Sequence, residues 1–307
     1  MAKYRLVREA LQAELLSSGR ASFHESPLVS MDDLQLVHMP SYVERYLNNQ
    51  LTALENRRIG FPWSPQSVDR SLSSTGGTVA AMHAVCREGA AARFSGHIAG
   101  GTHHAFPDRG EGFCVFSDIA VAAAVALRDY AISRILVVDL DVHQGNGNAV
   151  IFQDEPRVTT FSLHCYGNLF SRREYSDVDV DLHVGAGDAE YLAALEEHLP
   201  PLIDKIRPEL IFFQAGVDPH ASDRFGKLEL SSAGLKKRNK LVLDCAARQQ
   251  ARLVVTMGGG YPKDLDTLSM PFHHVVQAHL DCFRATASAH ARLGASWPWG
   301  GHQADAL

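Results

Sequence analysis

The stretch Arg134 to Gly147, RILVVDLDVHQGNG, decides the fold. Ile135 to Asp139 is a short apolar run rich in β-branched residues, the pattern of a strand buried on both faces. It ends in three polar side chains at alternate positions: Asp139, Asp141 and His143. Strand side chains alternate between faces, so these three point the same way. Two carboxylates and an imidazole at an apolar strand end need partners, and a metal ion satisfies all of them at once. Gly145 and Gly147 then let the chain turn sharply away.

Outward from this strand the chain alternates apolar strands with helical stretches. Strands are expected at 96–102, 158–164, 210–217 and 253–257. Helices are expected at 4–15, 41–48, 75–87, 117–130, 189–206, 231–249 and 265–293. Residues 61–68 read as a turn-rich connection and 165–181 as an irregular loop. The pattern predicts a single-domain α/β fold over residues 1–293, a mostly parallel sheet with helices on both faces. Residues 294–307 are expected to be a weakly ordered tail.

Composition sets the outer limits. The 307 residues are 46% hydrophobic and 21% charged, ordinary for a globular protein. A net charge of −6 argues against nucleic-acid binding by bulk electrostatics. No apolar run is long enough to span a bilayer. The five cysteines are dispersed with no CxxC pair, as in reduced intracellular proteins, so a cytoplasmic location is expected.

The polar clusters all follow strand ends, where open parallel sheets bind ligands: His103–His104, Asp139 to His143, Asp218 and Tyr261. Asp141, His143 and Asp218 can supply three ligands to one ion, a catalytic number that leaves positions open. Oxygen and nitrogen donors suit zinc, and also iron(II), cobalt or manganese. Beside such a site the His103–His104 pair offers a general base. Asp139 is free to orient one ring and Asn146 the other. Tyr261, after Gly258–Gly260, offers a hydroxyl to a developing oxyanion. Phe113, after Gly112, can wall an apolar channel.

The motifs GGTHHAFPDRGEGFCVFSD, VVDLDVHQGNG, FSLH, QAGVDPHASDRFGKLELS and MGGGY, in this order, resemble the zinc-dependent histone deacetylase superfamily from about Tyr4 to Ala285. Asn146 and Gln144 are most similar to the class IV members and their compact bacterial relatives. The resemblance implies an arginase–deacetylase fold and hydrolysis of an N-acyl amine. It implies zinc on Asp141, His143 and Asp218, with His104 as general base and acid. His103, paired with Asp139, would be an electrostatic partner, and Tyr261 would polarise the amide carbonyl. Gly112, Phe113, Leu169 or Phe170, and Gly259 would line an acyl-lysine channel. A structural potassium ion would be held by oxygens of Asp139, Asp141, His143, Ser162 and Leu163.

Two departures from the family pattern carry expectations. The family has a strand and loop before the segment matching Met1 to Arg5, so a missing edge strand and rim piece are expected, or a displaced start. Asn146 lacks the carboxylate field of an Asp, so His104 should be less basic. The expected substrate is an acyl-lysine protein. The second reading is a small acylated amine such as an acetylpolyamine, which an acidic rim at Asp177, Asp179 and Asp181 would favour. The third is a non-catalytic acyl-lysine-binding scaffold.

Overall fold

The structure, a computed structural model, describes residues 2–296. The chain opens with α1 (Ala2–Leu11), extended by a π turn (Gln12–Leu16), and continues through α2 (Met31–Leu34), α3 (Pro40–Leu47), α4 (Ala53–Ile59) and α5 (Pro65–Cys86). Then follow β1 (Phe94–His97), α6 (Asp118–Asp129), β2 (Ile135–Asp139), α7 (Asn146–Phe152), β3 (Val158–Cys165) and β4 (Val178–Leu182). The last third is α8 (Asp188–Ile206), β5 (Leu210–Gln214), α9 (Ser232–Gln249), β6 (Arg252–Thr256) and α10 (Met270–Ser296). The tail expected from 294 falls, from 297 on, outside the described residues; its first three residues continue α10.

The six strands form one sheet in the order β1-β6-β5-β2-β3-β4, every neighbouring pair parallel. Alternation along β2 sorts its side chains into two cores. Leu136 and Val138 join the cluster with Val7 of α1, Leu195 of α8, Leu243 of α9 and Val275 of α10. Ile135 and Val137 join the cluster with Tyr42 of α3, Met82 of α5 and Ile119 of α6. A strand buried on both faces must be apolar throughout, which is why β2 reads as a continuous run.

The order has its switch point between β2 and β5: the chain moves one way from β2 to β4, then returns on the other side through β5 and β6. Connections leave on opposite faces there, opening a crevice at the carboxyl ends of the two strands. Asp139 ends β2, Asp141 and His143 lie in the loop after it, and Asp218 follows β5.

Several boundaries differ from the sequence reading; strand β5 ends at Gln214 rather than Val217, and helix α10 begins at Met270 rather than Leu265. Helix α5 begins at Pro65, ten residues before the expected start at Thr75, because Ser64 and Ser67 form a capping box and Pro65 occupies the first turn, where its missing N–H costs nothing. Strand β1 ends at His97, because Gly100 and Gly101 take positive φ and turn the chain away. Within 165–181, expected to be irregular, Val178 starts the edge strand β4.

Candidate active site

The floor of the crevice is built from backbone that cannot easily move. Asp118, at the start of α6, accepts hydrogen bonds from Gly101 N (2.9 Å), Thr102 N (2.7 Å) and Thr102 Oγ1 (2.6 Å). That fixes the turn leading into His103 and His104. On the opposite side Val142 N donates to Asp218 Oδ1 (2.9 Å) and Gly259 N to Asp141 Oδ2 (3.0 Å). Thus the loops after β2, β5 and β6 are tied together through the carboxylates themselves.

Asp141, His143 and Asp218 converge, each offering a ligand atom within 4.8 Å of the others. His143 Nδ1 lies 3.0 Å from Asp141 Oδ1 and 3.4 Å from Asp218 Oδ2. Asp218 Oδ2 is buried with no hydrogen-bond partner. A Cβ on Gly259 would fall 2.1 Å from that oxygen, and one on Gly216 would fall 2.3 Å from Asp141 Oδ2, so the cradle admits only glycine there. Burial, and the Asp141 charge beside it, push the Asp218 carboxyl up to about 8. Burial alone would lower the His143 imidazole, but its hydrogen bond to Asp141 and the neighbouring Asp218 carboxylate raise it to about 10. Two carboxylates this close and this buried call for a cation, and two oxygens plus one nitrogen form a borderline-hard donor set for a divalent ion. The residues fit a metal.

The two adjacent histidines are made different by their partners. His103 Nδ1 meets Asp139 Oδ2 at 2.7 Å. Burial opposes its charge, yet Asp139 and Asp141 raise it to about 9. His104 Nδ1 meets Asn146 Oδ1 at 2.7 Å. Asn146 is oriented by its other bonds, accepting from Gly147 N at 3.0 Å and donating from Nδ2 to Ser171 Oγ at 3.0 Å. Its oxygen therefore faces His104, which must donate from Nδ1 and leave Nε2 with a lone pair. Burial, then the neighbouring His103 and His143, hold His104 well below the usual imidazole range. The rings of His103 and His104 lie 3.9 Å apart, and those of His104 and His143 5.7 Å.

Aromatic rings form the mouth. Phe170 stands edge-on to His104 (4.8 Å) and to His143 (5.8 Å). Phe113 lies 5.7 Å from Tyr261 and Phe225 5.4 Å. Gly112 (φ +55°) and Phe113 (φ +68°) both take left-handed backbone, a strained state for Phe. A Cβ on Gly112 would strike His104 and Phe170, at 2.7 and 2.8 Å. Burial raises the Tyr261 phenol well above its ordinary range, so it stays a proton donor.

The structure thus brings together Asp139, Asp141, His143, Asp218, His103, His104, Asn146, Gly112, Phe113, Phe170, Gly259 and Tyr261. Of the two rim alternatives it selects Phe170; Leu169 instead closes the 3-10 turn, its N–H donating to Tyr166 O (3.3 Å). Ser162 sits beside Asp139 in the β2–β3 register, with Leu163 buried next to it.

Other side chains in the site were missed by sequence reasoning. Arg238 of α9 is fully buried and donates to Leu140 O (3.2 Å), Gly216 O (2.6 Å) and Ala215 O (3.3 Å), clamping both ligand loops from behind. Lys3 is buried too, donating to Gly260 O (2.6 Å) with its ammonium over the Tyr261 ring. Both sit in amphipathic helices, so only their apolar neighbours one turn away hinted at burial; in α9 the buried Asn239 accepts from Arg238. Asp223 accepts from Tyr261 N (2.5 Å) and sets that residue's backbone; its place in the run DPHASDRFG from Asp218 to Gly226 was a legible signal.

The acidic run reads differently in three dimensions. Asp177 accepts from Thr160 N (2.8 Å), Asp179 from Gln144 Nε2 (3.0 Å), and Asp181 from Arg173 Nη1 (2.8 Å). Each carboxylate thus has a partner within the chain, while Asp177 and Asp181 stay exposed to solvent.

Among the described residues no helix is long and apolar enough to cross a membrane. Residues 1–278 match the model of the histone deacetylase domain. The chain is 44% identical to an uncharacterized protein of Picosynechococcus sp., over 76% of this chain and 77% of that one. It is 32% identical to the histone deacetylase-like amidohydrolase of Pseudomonas aeruginosa, over 80% of this chain and 67% of that one. It is 31% identical to the polyamine deacetylase HDAC10 of Homo sapiens, over 76% of this chain and 37% of that one. With the ligand cluster, the paired histidines and the tyrosine converging at one sheet edge, the chain belongs to the histone deacetylase family, metal-dependent hydrolases of amide bonds.

Proposed function

We propose that the protein removes acetyl or longer acyl groups from lysine side chains of proteins, with zinc held by Asp141, His143 and Asp218. Iron(II) or cobalt would meet the same donors. The bound ion supplies a Lewis acid for the amide carbonyl and lowers the pKa of the attacking water. The observation that carries the reading is the asymmetry of the histidine pair. Asn146 fixes His104 with a free Nε2, while Asp139 sustains charge on His103.

The residues divide the work. Phe113 and Phe170 enclose the lysine methylenes and exclude water from the scissile bond. His104 Nε2 takes a proton from the attacking water and returns it to the leaving amine as the C–N bond breaks. The charged His103 disfavours a persistent second imidazolium beside it, which keeps the returning proton transferable. Tyr261 donates its hydroxyl proton in a hydrogen bond to the carbonyl oxygen as negative charge develops there. Oxygens of Asp139, Asp141, His143, Ser162 and Leu163 are the proposed holders of a structural potassium ion. A cytoplasmic setting accords with five free cysteines.

The second reading, deacetylation of small cationic amines, is supported by the likeness to polyamine deacetylases, while Asp177, Asp179 and Asp181 each have a hydrogen-bond partner within the chain. Zinc-loaded protein assayed on matched acetyl-lysine, long-chain acyl-lysine and acetylpolyamine substrates separates the readings. Turnover of an acyl-lysine that disappears in Tyr261→Phe and His104→Ala is the expected result. Preferential turnover of acetylpolyamine would transfer the proposal to small amines. Zinc bound at one per chain without turnover of any substrate would favour the scaffold reading.

A further inference from the structure

A second cavity, of about 330 Å³, opens beside the channel mouth, lined by Arg58, Asp108, Arg109, Glu111, Ser171 and Arg172. It shares a wall with the channel. Glu111 and Ser171 directly adjoin Gly112 and Phe170, the residues packed against His104. The end of α4 is stitched to the channel loop, Gly112 N donating to Arg58 O (3.0 Å) and Phe113 N to Ile59 O (2.7 Å). Ser171 Oγ also accepts from Asn146, so this wall is two hydrogen bonds from the His104 ring.

The cavity's charges do not cancel. Asp108 pairs with Arg109 (2.9 Å), whose guanidinium lies 3.7 Å over the Phe106 ring. Arg58 and Arg172 have no carboxylate partner among the described residues, and only Glu111 opposes the two. A positive excess at this position stands out on a chain whose net charge is −6. Guanidinium groups present parallel N–H donors that match a carboxylate. Their siting beside the mouth, Arg172 two residues beyond Phe170 and Arg58 bonded through its carbonyl to Gly112, suits a group carried near the acylated lysine, outside the apolar channel.

We propose that this cavity is a subsite for a carboxylate carried by the substrate, an inference that rests on the acyl-lysine reading of the site. An Asp or Glu side chain flanking the acyl-lysine in a protein supplies this chemistry, as does the α-carboxylate of free Nε-acyl-lysine. The subsite selects against polycationic amines, which would meet Arg58 and Arg172 with like charge.

The test compares kcat/KM for acetyl-lysine peptides flanked by Glu, by Gln or by Lys, in the wild type and in the Arg58→Gln/Arg172→Gln double variant. Free Nε-acetyl-lysine against its C-terminal amide distinguishes the two sources. The wild type is expected to prefer the Glu peptide over the Gln peptide by about five- to twentyfold. The preference should shrink to within about twofold in the double variant and weaken in 0.5 M salt, as charge screening requires. The Gln peptide should be cleaved equally by both proteins. An undiminished Glu preference in the double variant, or none in the wild type, overturns the subsite. Should no peptide be cleaved, fluorescence anisotropy of the labelled Glu peptide decides alone. Tighter binding to the wild type than to the double variant keeps the subsite while the functional reading fails; equal binding overturns it.

Discussion

The floor of the crevice and its rim are built on opposite terms. On the floor, Asp139, Asp141, Asp218, His103 and His104 are almost wholly inaccessible, and each has at least one hydrogen bond or ion pair from a different loop. At the rim, Phe113, Phe170 and Phe225 are 48%, 51% and 41% exposed, and of the arginines beside them Arg58 and Arg172 have no carboxylate partner among the described residues. The difference teaches where chemistry and selectivity reside. A proton acceptor and a set of metal ligands must be held within fractions of an ångström. A surface that receives a flexible side chain needs area and charge, which loops supply.

The contrast predicts floor substitutions with large, all-or-none effects and rim substitutions with graded ones. Asp218→Asn removes one of two converging carboxylates, and its buried amide cannot replace the charge. Zinc affinity should fall by at least about a hundredfold, read by competition with a chromogenic chelator; retained affinity would break the assignment of the floor. His104→Ala should bind zinc normally but lose on the order of 10²–10⁴ in kcat. A fall in KM alone, with kcat preserved, would move the general base elsewhere.

The seam between the two regions offers a third test. His38 is buried where Phe106 O accepts from its Nδ1 (2.9 Å) and its Nε2 accepts from Ser117 N (2.9 Å), joining the loop before α3 to the start of α6. Burial outweighs the bond to Phe106 O, which favours the charged ring, and lowers His38 to about 4, from 6.5. The unfolded chain therefore binds a proton that the folded chain refuses. Stability from this group is full above pH 6.5 and falls as pH drops toward 4, by roughly 3 kcal/mol at about 1.4 kcal/mol per pH unit. Urea melts of the wild type and His38→Asn across that window should differ in slope by this amount. Parallel curves would show that the seam titrates otherwise.

The smallest effects belong to the rim. Phe170→Ala should raise KM for acetyl-lysine peptides by about tenfold or less, with the melting temperature changed little, because a half-exposed ring contributes little to the fold. Phe113→Gly removes the left-handed strain and should stabilise the fold by about 0.5–1 kcal/mol while weakening substrate binding. A large loss of stability in either variant would erase the distinction between floor and rim.

Legibility in the sequence followed the same divide. The floor was readable because the apolar run of β2 marks where the strand stops and its polar cluster begins; the strand ends at Asp139, so strand alternation does not extend to Asp141 and His143, which the loop after it brings to the site. Asp218 and Tyr261 also follow apolar strands, so their convergence came from the parallel order alone. The rim was not readable in that way. Its arginines come from the end of α4 and from two loops, brought together only by packing across the mouth. Edge strand β4 did carry a signal, apolar Val178, Val180 and Leu182 alternating with Asp179 and Asp181, but its acids resembled a solvated loop. Lys3 and Arg238 were hidden because a charged residue on an amphipathic helix ordinarily faces water, and here carbonyl oxygens receive them instead.

The most direct test of the central claim, that these three ligands hold the ion which the histidine pair serves, is a zinc titration of apoprotein. Bound zinc and acetyl-lysine hydrolysis are followed together, in the wild type and in His104→Ala. The account predicts that wild-type activity rises in proportion to bound zinc and stops at one ion per chain, while His104→Ala binds the same single ion and stays inactive. Hydrolysis by the metal-free wild type, or full activity in zinc-loaded His104→Ala, would contradict it.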